Sequence, residues 1–146
     1  MTYRVMNIDD YERIYDLWMS CKGMGLNNLD DSKEGIEAFL KRNPTTCFVC
    51  EEGEKIIGVI MSGHDGRRGY IYHTAVSPDY RRQGIAKTLV NHALRVLKEE
   101  GINKVAMLVF AKNEGGNMFW EKEGFTERTD IVYRNKALSD IIRIDT

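Results

Sequence analysis

From Gly84 to Glu100 the chain carries one apolar stripe at helical spacing. Ile85, Leu89, Ala93 and Leu97 define it, and Ala86, Val90, Leu94 and Val96 widen it. Gly101 follows where a left-handed residue closes a helix. A helix with one wide apolar face must bury that face against something flat. Just upstream, Tyr70–Val76 is rich in aromatic and β-branched residues and reads as a strand. A strand that runs through a short turn into a long amphipathic helix commits the chain to layered α/β packing.

The rest of the chain fits that frame. Tyr3–Met6 reads as a short strand. Asp9 and Glu12 form a capping-box-like pair before a helix that runs to about Ser20, and Cys21–Asp31 reads as a loop. Asp31 or Ser32 caps a second helix with Ile36, Phe39 and Leu40, ended by Asn43-Pro44. Thr46–Glu51 and Lys55–Ser62 read as strands joined at Glu52-Gly53, and His64–Gly69 as the next hairpin turn. Lys104–Phe110 is predicted as a strand, Glu114–Lys122 as a short helix and Phe125–Tyr133 as a last strand. The expected order is β-α-α-β-β-β-α-β-α-β, an α/β or α+β layering in one domain over residues 1–146.

Several function classes drop out. A net charge of −1 gives no overall basic field to draw nucleic acid or an anionic membrane. No apolar run approaches the roughly 20 residues of a membrane span, and Met1–Met6 has no signal-peptide core, so the cytoplasm is the expected location. Cys47 and Cys50 form a C-x-x-C, but residues three apart on a strand point to opposite faces. With no second Cys or His pair, no metal site is expected.

The stretch that carries chemistry is Val76-Ser77-Pro78-Asp79-Tyr80-Arg81-Arg82-Gln83-Gly84-Ile85-Ala86. A strand enters a basic turn, and the turn opens the best helix of the chain. The first N–H groups of that helix lack partners and sit at the positive end of its dipole. Gly84 lets an anion approach the backbone, Ala86 keeps the next turn open, and Arg81, Arg82 and Lys87 add charge. Together they describe a phosphate cradle. It is neither a dinucleotide fingerprint nor a Walker A loop, since neither glycine pattern is present.

Here the chain resembles the GNAT family of N-acetyltransferases. Arg81-Arg82-Gln83-Gly84-Ile85-Ala86 matches the family's pyrophosphate motif, and Ala75-Val76-Ser77-Pro78 matches the strand end before it. Downstream, Asn113-Glu114-Gly115-Gly116-Asn117-Met118-Phe119-Trp120-Glu121-Lys122-Glu123-Gly124-Phe125 is similar to a second family segment. The resemblance implies a mixed, mostly antiparallel sheet of six to seven strands flanked by about four helices. It implies acetyl-CoA as cosubstrate and a primary amine as acceptor (a peptide N-terminus or a small molecule), and it allows a homodimer. The strand at Val76 would part from the strand at Lys104–Phe110, and the pantetheine arm would lie between them near Ala75 and Val76. Backbone N–H groups from Arg81 to Lys87, across Arg82, Gln83, Gly84, Ile85 and Ala86, would hold the pyrophosphate. Asn113 would face the pantetheine arm or simply cap the following helix.

One departure matters chemically. Where many members carry a Tyr proposed to protonate the departing CoA sulfur, this chain has Trp120. An indole N–H donates hydrogen bonds but is no usable acid. Trp120 would polarise the thioester or pack the cleft wall, and a CoA-binding sensor with weak catalysis is the alternative reading. On the strand Tyr70–Val76, alternation would turn Tyr72 and Tyr70 into the cleft with Val76, and His73 away. Glu51 and Glu54 read as solvent charges, and Arg67-Arg68 as part of a hairpin turn or a contact for an anion. Tyr11, Tyr15 and Trp18 form an aromatic stripe read as core, and Gly23–Asp31 as a wall of the acceptor pocket.

Overall fold

The structure is a computed structural model that describes residues 1–145. Its sheet has five strands in the order β1-β2-β3-β4-β5: Thr2–Val5, Phe48–Glu52, Lys55–His64, Gly69–Val76 and Val105–Met107. The first four run antiparallel and β5 lies parallel to β4, so the sheet is mixed and mostly antiparallel. Helices α1 (Tyr11–Met19) and α2 (Lys33–Arg42) follow β1. Helix α3 (Ile85–Glu99) connects β4 to β5, and α4 (Glu114–Lys122) follows β5.

Two apolar clusters fill the two faces of the sheet. One joins Ile14, Leu17, Trp18, Ile36 and Leu40 of α1 and α2 to Val49, Val59, Met61 and Ala75. The other joins Ile85, Leu89, Val90 and Ala93 of α3 and Trp120 of α4 to Phe48, Cys50, Ile57, Ile60 and Ile71. Cys47 and Cys50 fall in different clusters, as strand alternation requires, and both are free thiols. Gly58 lets α3 press close to the sheet: a Cβ there would meet Ile85 Cγ2 at 2.8 Å and Leu89 Cδ1 at 3.1 Å. That approach sets the height at which α3 begins beside β4.

Local rules account for the helix ends. Ser32 caps α2 by accepting the Gly35 N–H at 3.0 Å. Gly101 closes α3 at φ +88°, with the Ile102 N–H donating to Leu97 O at 3.0 Å. The N-terminal capping box differs from the expected Asp9–Glu12 pair. Asn7 caps a 3-10 turn at Ile8–Asp10, and the Asp10 carboxylate reaches back to the Asn7 N–H at 2.9 Å. Asp10 also receives Arg4 and Arg13 at 2.7 Å each, and both guanidiniums continue to Glu51. Glu51 is therefore part of an ion-pair network tying β1, α1 and β2 together, not a plain solvent charge.

The sheet is one or two strands smaller than expected. The expected Lys104–Phe110 strand is in register only over Val105–Met107. Phe125–Tyr133 forms no strand in the described structure. Its middle, Glu127-Arg128-Thr129-Asp130, offers no apolar face, and Arg128 pairs with Asp130 two residues away, holding a bend at 2.7 Å.

Candidate active site

Strands β4 and β5 part in mid-course. Gly69, Tyr70 and Ile71 pair with Val105, Ala106 and Met107, and the ladder stops there. Beyond that point Tyr72–Val76 stays paired to β3 but not to Leu108–Phe110, which leaves a cleft between them. On the other side of β4, the Ser77 N–H turns to Ile57 O at 2.8 Å. Antiparallel alternation then points the N–H and C=O of Val76 away from β3 and into the cleft. Its carbonyl is met there by Arg81 Nε at 3.3 Å and by the Cys21 thiol at 3.7 Å.

A β-bulge controls what faces the cleft. Val59 pairs with Ala75 and Met61 with Tyr72, so His73 and Thr74 together oppose Ile60. His73 takes φ +30°, rare for a residue with a side chain. The bulge breaks the alternation assumed from sequence. Tyr70 and Tyr72 lie toward the α1–α2 side, and Val76 packs against the α3 cluster on the other. His73 does not point away from Tyr72 but lies on the same α1–α2 side. Its Nε2 lies 2.7 Å from Asp31 Oδ1, and its ring stands edge-on to the buried Trp18 at 5.2 Å. Asp31 is itself buried; it also receives the Asn27 N–H, and its carbonyl receives the Tyr11 hydroxyl. The Asp31–His73 contact thus fastens the Gly23–Asp31 loop to the bulge.

The turn after β4 has the geometry of an anion cradle. Arg82 (φ +64°) and Gly84 (φ +77°) are both left-handed, and Gly84 is the N-cap of α3. A Cβ on Gly84 would meet nothing within 4 Å, so the backbone there is open. Thr88 closes the first turn, its N–H donating to Gly84 O at 3.0 Å and its hydroxyl at 2.9 Å. The N–H groups of Gly84, Ile85, Ala86 and Lys87 lie ahead of the first intrahelical bond. The Ile85 side chain is buried in the core, so this residue offers only its backbone. Arg82, Gln83 and Lys87 are exposed, while Arg81 folds back onto Val76 and Cys21.

Across the cleft, Asn113 caps α4 by accepting the Gly116 N–H at 2.9 Å. Trp120 is 8% exposed and stands edge-on to Phe119 and Phe125, so it belongs to the core behind the cleft. Tyr70 and Tyr72 stack on each other at 6.0 Å, about two-fifths exposed, and Phe39 meets Tyr72 edge-on. Burial, helped by the neighbouring Tyr70, Tyr133 and Asp30, pushes the Tyr72 phenol above its ordinary range. Tyr72 therefore stays protonated at neutral pH and can donate a proton, but it is no base.

Two further features lay outside the sequence reading. Cys21 sits at the mouth of a cavity of about 270 Å³ with Met19, Lys22, Ile144 and Asp145. The chain end forms the roof: the Asp145 carboxylate receives the N–H groups of Gly25 and Leu26 at 3.0 and 2.7 Å, and the Ile144 N–H donates to Leu26 O. Contacts spanning some 120 residues leave no local pattern in a sequence. Among the described residues, no His, Cys, Asp and Glu cluster suits a metal ion, and no helix is long and apolar enough to cross a membrane.

This geometry agrees with what known proteins show. The model of the acetyltransferase (GNAT) family matches residues 11–125. An acetyltransferase of Sodalis glossinidius is 32% identical over 138 residues, covering 94% of this chain and 96% of that protein. One of Pectobacterium atrosepticum is equally similar over the same shares. Among solved structures, Ard1 from Thermoplasma volcanium superposes with a TM-score of 0.76 at 21% identity, covering 86% of this chain and 82% of that one. PaiA N-acetyltransferase from Thermoplasma acidophilum, solved in complex with coenzyme A, gives 0.72 at 19% identity over 84% and 87%. At these identities the two structures speak for the fold.

Proposed function

The chain belongs to the GNAT acetyltransferase family, and from that premise we propose that it transfers the acetyl group of acetyl-CoA directly to the primary amine of a peptide N-terminus or a small molecule. The observation that carries this reading is the parting of β4 from β5 directly beside the left-handed turn that opens α3. A thioester-bearing arm needs a slot with free strand edges, and its pyrophosphate needs converging N–H donors. Both are present at the C-terminal end of β4.

In this reading, the N–H groups from Gly84 to Lys87 hold the pyrophosphate, with Arg82 and Lys87 adding charge. The free edge of β4 at Ala75 and Val76 pairs with the pantetheine arm. The Val76 N–H, aimed into the cleft, receives the thioester oxygen as it gains negative charge. Asn113 borders the arm through its remaining amide N–H₂. The unprotonated amine attacks the carbonyl carbon, the C–S bond breaks, and the amine's surplus proton passes to water. Tyr70 and Tyr72 flank the acceptor, and Tyr72 is positioned as a donor. Trp120 serves as a wall of the cleft.

The leaving group makes this sufficient. A thiol of pKa ~8.5 costs only about 2 kcal/mol to leave as thiolate at pH 7, so no dedicated acid is required. The test is direct. Calorimetry should give one acetyl-CoA site per chain, and free-thiol release should then depend on added amine. Binding without release for any amine would reduce the protein to a CoA-binding module.

A further inference from the structure

Beside the cleft, on the α2 side of β4, lies a pocket of about 250 Å³. The aromatic rings of Phe39, Tyr70 and Tyr72 line it together with Arg42, Arg68 and Asp65. Resting on the acetyl-transfer reading above, the geometry points to an acceptor that carries an anionic group at the end remote from its reactive nitrogen.

Charge comes first. Arg42, in the last turn of α2, makes no ion pair among the described residues. The Arg68 guanidinium reaches only the carbonyl of Arg67, at 3.2 Å. The nearby acids are already engaged. Asp65 Oδ1 receives the N–H groups of Arg67 and Arg68 at 2.8 Å each. Glu100 pairs with His64 at 2.9 Å and with Thr45. Two guanidiniums thus line one pocket with a single carboxylate, Asp65, which is held by backbone N–H groups and paired to neither of them, so both keep the donors that bidentate recognition of a carboxylate or phosphate uses.

Distance comes second. Arg68 adjoins Gly69, where β4 begins, and Tyr72 stands where β4 leaves β5. Four residue steps lead from Arg68 to Tyr72, about 13 Å at 3.3 Å per residue. An acceptor whose body is flanked by Tyr70 and Tyr72 therefore has its far end directed toward the guanidiniums. Between them the stacked tyrosines and Phe39 offer apolar surface to the linking atoms. The shared chemistry is an amine, a spacer and an anion. It suits a short peptide with an acidic residue near its N-terminus, or a small ω-amino acid.

Two pairs of probes separate these sources. The first is the tripeptide amide Ala-Gly-Asp against Ala-Gly-Asn, which differ only in charge. The second is ε-aminocaproate against its amide. Each is assayed by acetyl-CoA-dependent thiol release, with wild type and with Arg42→Ala/Arg68→Ala. The expected result is a kcat/KM about tenfold higher for the anionic member of at least one pair, falling to near parity in the double variant. The pair that responds identifies the source. Parity in wild type for both pairs, or a preference that survives the double variant, overturns the inference while leaving acetyl transfer intact. If none of these four probes is turned over, acetyl transfer is judged on the wider amine panel. Calorimetry of the same probes against CoA-loaded protein then decides the pocket: tighter binding of an anionic member, lost in the double variant, sustains it, and equal or absent binding of both members refutes it.

Discussion

Three residues of the cleft make separable predictions. Gly84 is left-handed with open space around its missing Cβ. Any side chain there costs about 1–2 kcal/mol of backbone strain, and a carboxylate also lands at the proposed pyrophosphate site. Gly84→Ala should therefore lower stability by that amount and weaken acetyl-CoA modestly, whereas Gly84→Glu should leave a folded protein with no measurable affinity. Paired melts and calorimetry check this; equal affinity of the Glu variant and wild type would falsify the cradle. Arg82 holds a similar left-handed conformation without being glycine, the kind of strain that functional turns retain. Arg82→Gly should leave the melting temperature unchanged or raised while weakening acetyl-CoA several-fold. If affinity is unchanged, the Arg82 charge plays no part in binding. Trp120 belongs to the core, so Trp120→Ala should cost about 3–5 kcal/mol by denaturant unfolding. A loss below about 1 kcal/mol would show that it does not pack the wall.

At the scale of elements, the network of Arg4, Asp10, Arg13 and Glu51 bolts the N-terminal strand and α1 to β2. Burial alone would raise the Asp10 carboxyl, but Arg4, the Asn7 N–H and Arg13 outweigh it, and its pKa is lowered. Glu51 is lowered as well, chiefly by Arg4. A depressed folded-state pKa gives stability that is present above the ordinary carboxylate range and lost as pH falls through the folded value. The fold should therefore weaken below about pH 4, the ordinary range. Asp10→Asn should cost about 3 kcal/mol near neutrality and flatten that acid dependence. Denaturant melts from pH 3 to 7 measure both, and a variant with the wild-type acid profile would contradict the assignment. The helices and strands themselves were legible because each has its own period and caps: the α3 stripe, Ser32 and Gly101 needed no distant partner. Phe125–Tyr133 was misread because its β-formers flank a charged middle that pairs with itself. Likewise, a bulge that turns on one extra residue opposite Ile60 carries no composition signal, so Tyr72 and Val76 were placed on one face and His73 on the wrong one.

For the molecule as a whole, the proposed cofactor side of the cleft is readable from sequence because its donors are contiguous, from Val76 to Lys87. The proposed acceptor side is not, because its parts are separate in the chain. The Gly23–Asp31 loop, the β3–β4 turn, β4 and the chain end meet only in the fold. A ligand that binds only the folded state adds about 2.7 kcal/mol at a hundred times its Kd. For a chain of 146 residues, saturating acetyl-CoA should therefore raise the melting temperature by roughly 5–10 °C, and the absence of any shift would count against the site. The most direct measurement is free-thiol release from acetyl-CoA across a panel of amines, run with wild type and Gly84→Glu, with mass spectrometry of the amine product. The account predicts saturable release that requires the amine, an acetyl group on its nitrogen, and none of this in the variant. Binding of acetyl-CoA without release for any amine, or undiminished release by Gly84→Glu, would contradict it.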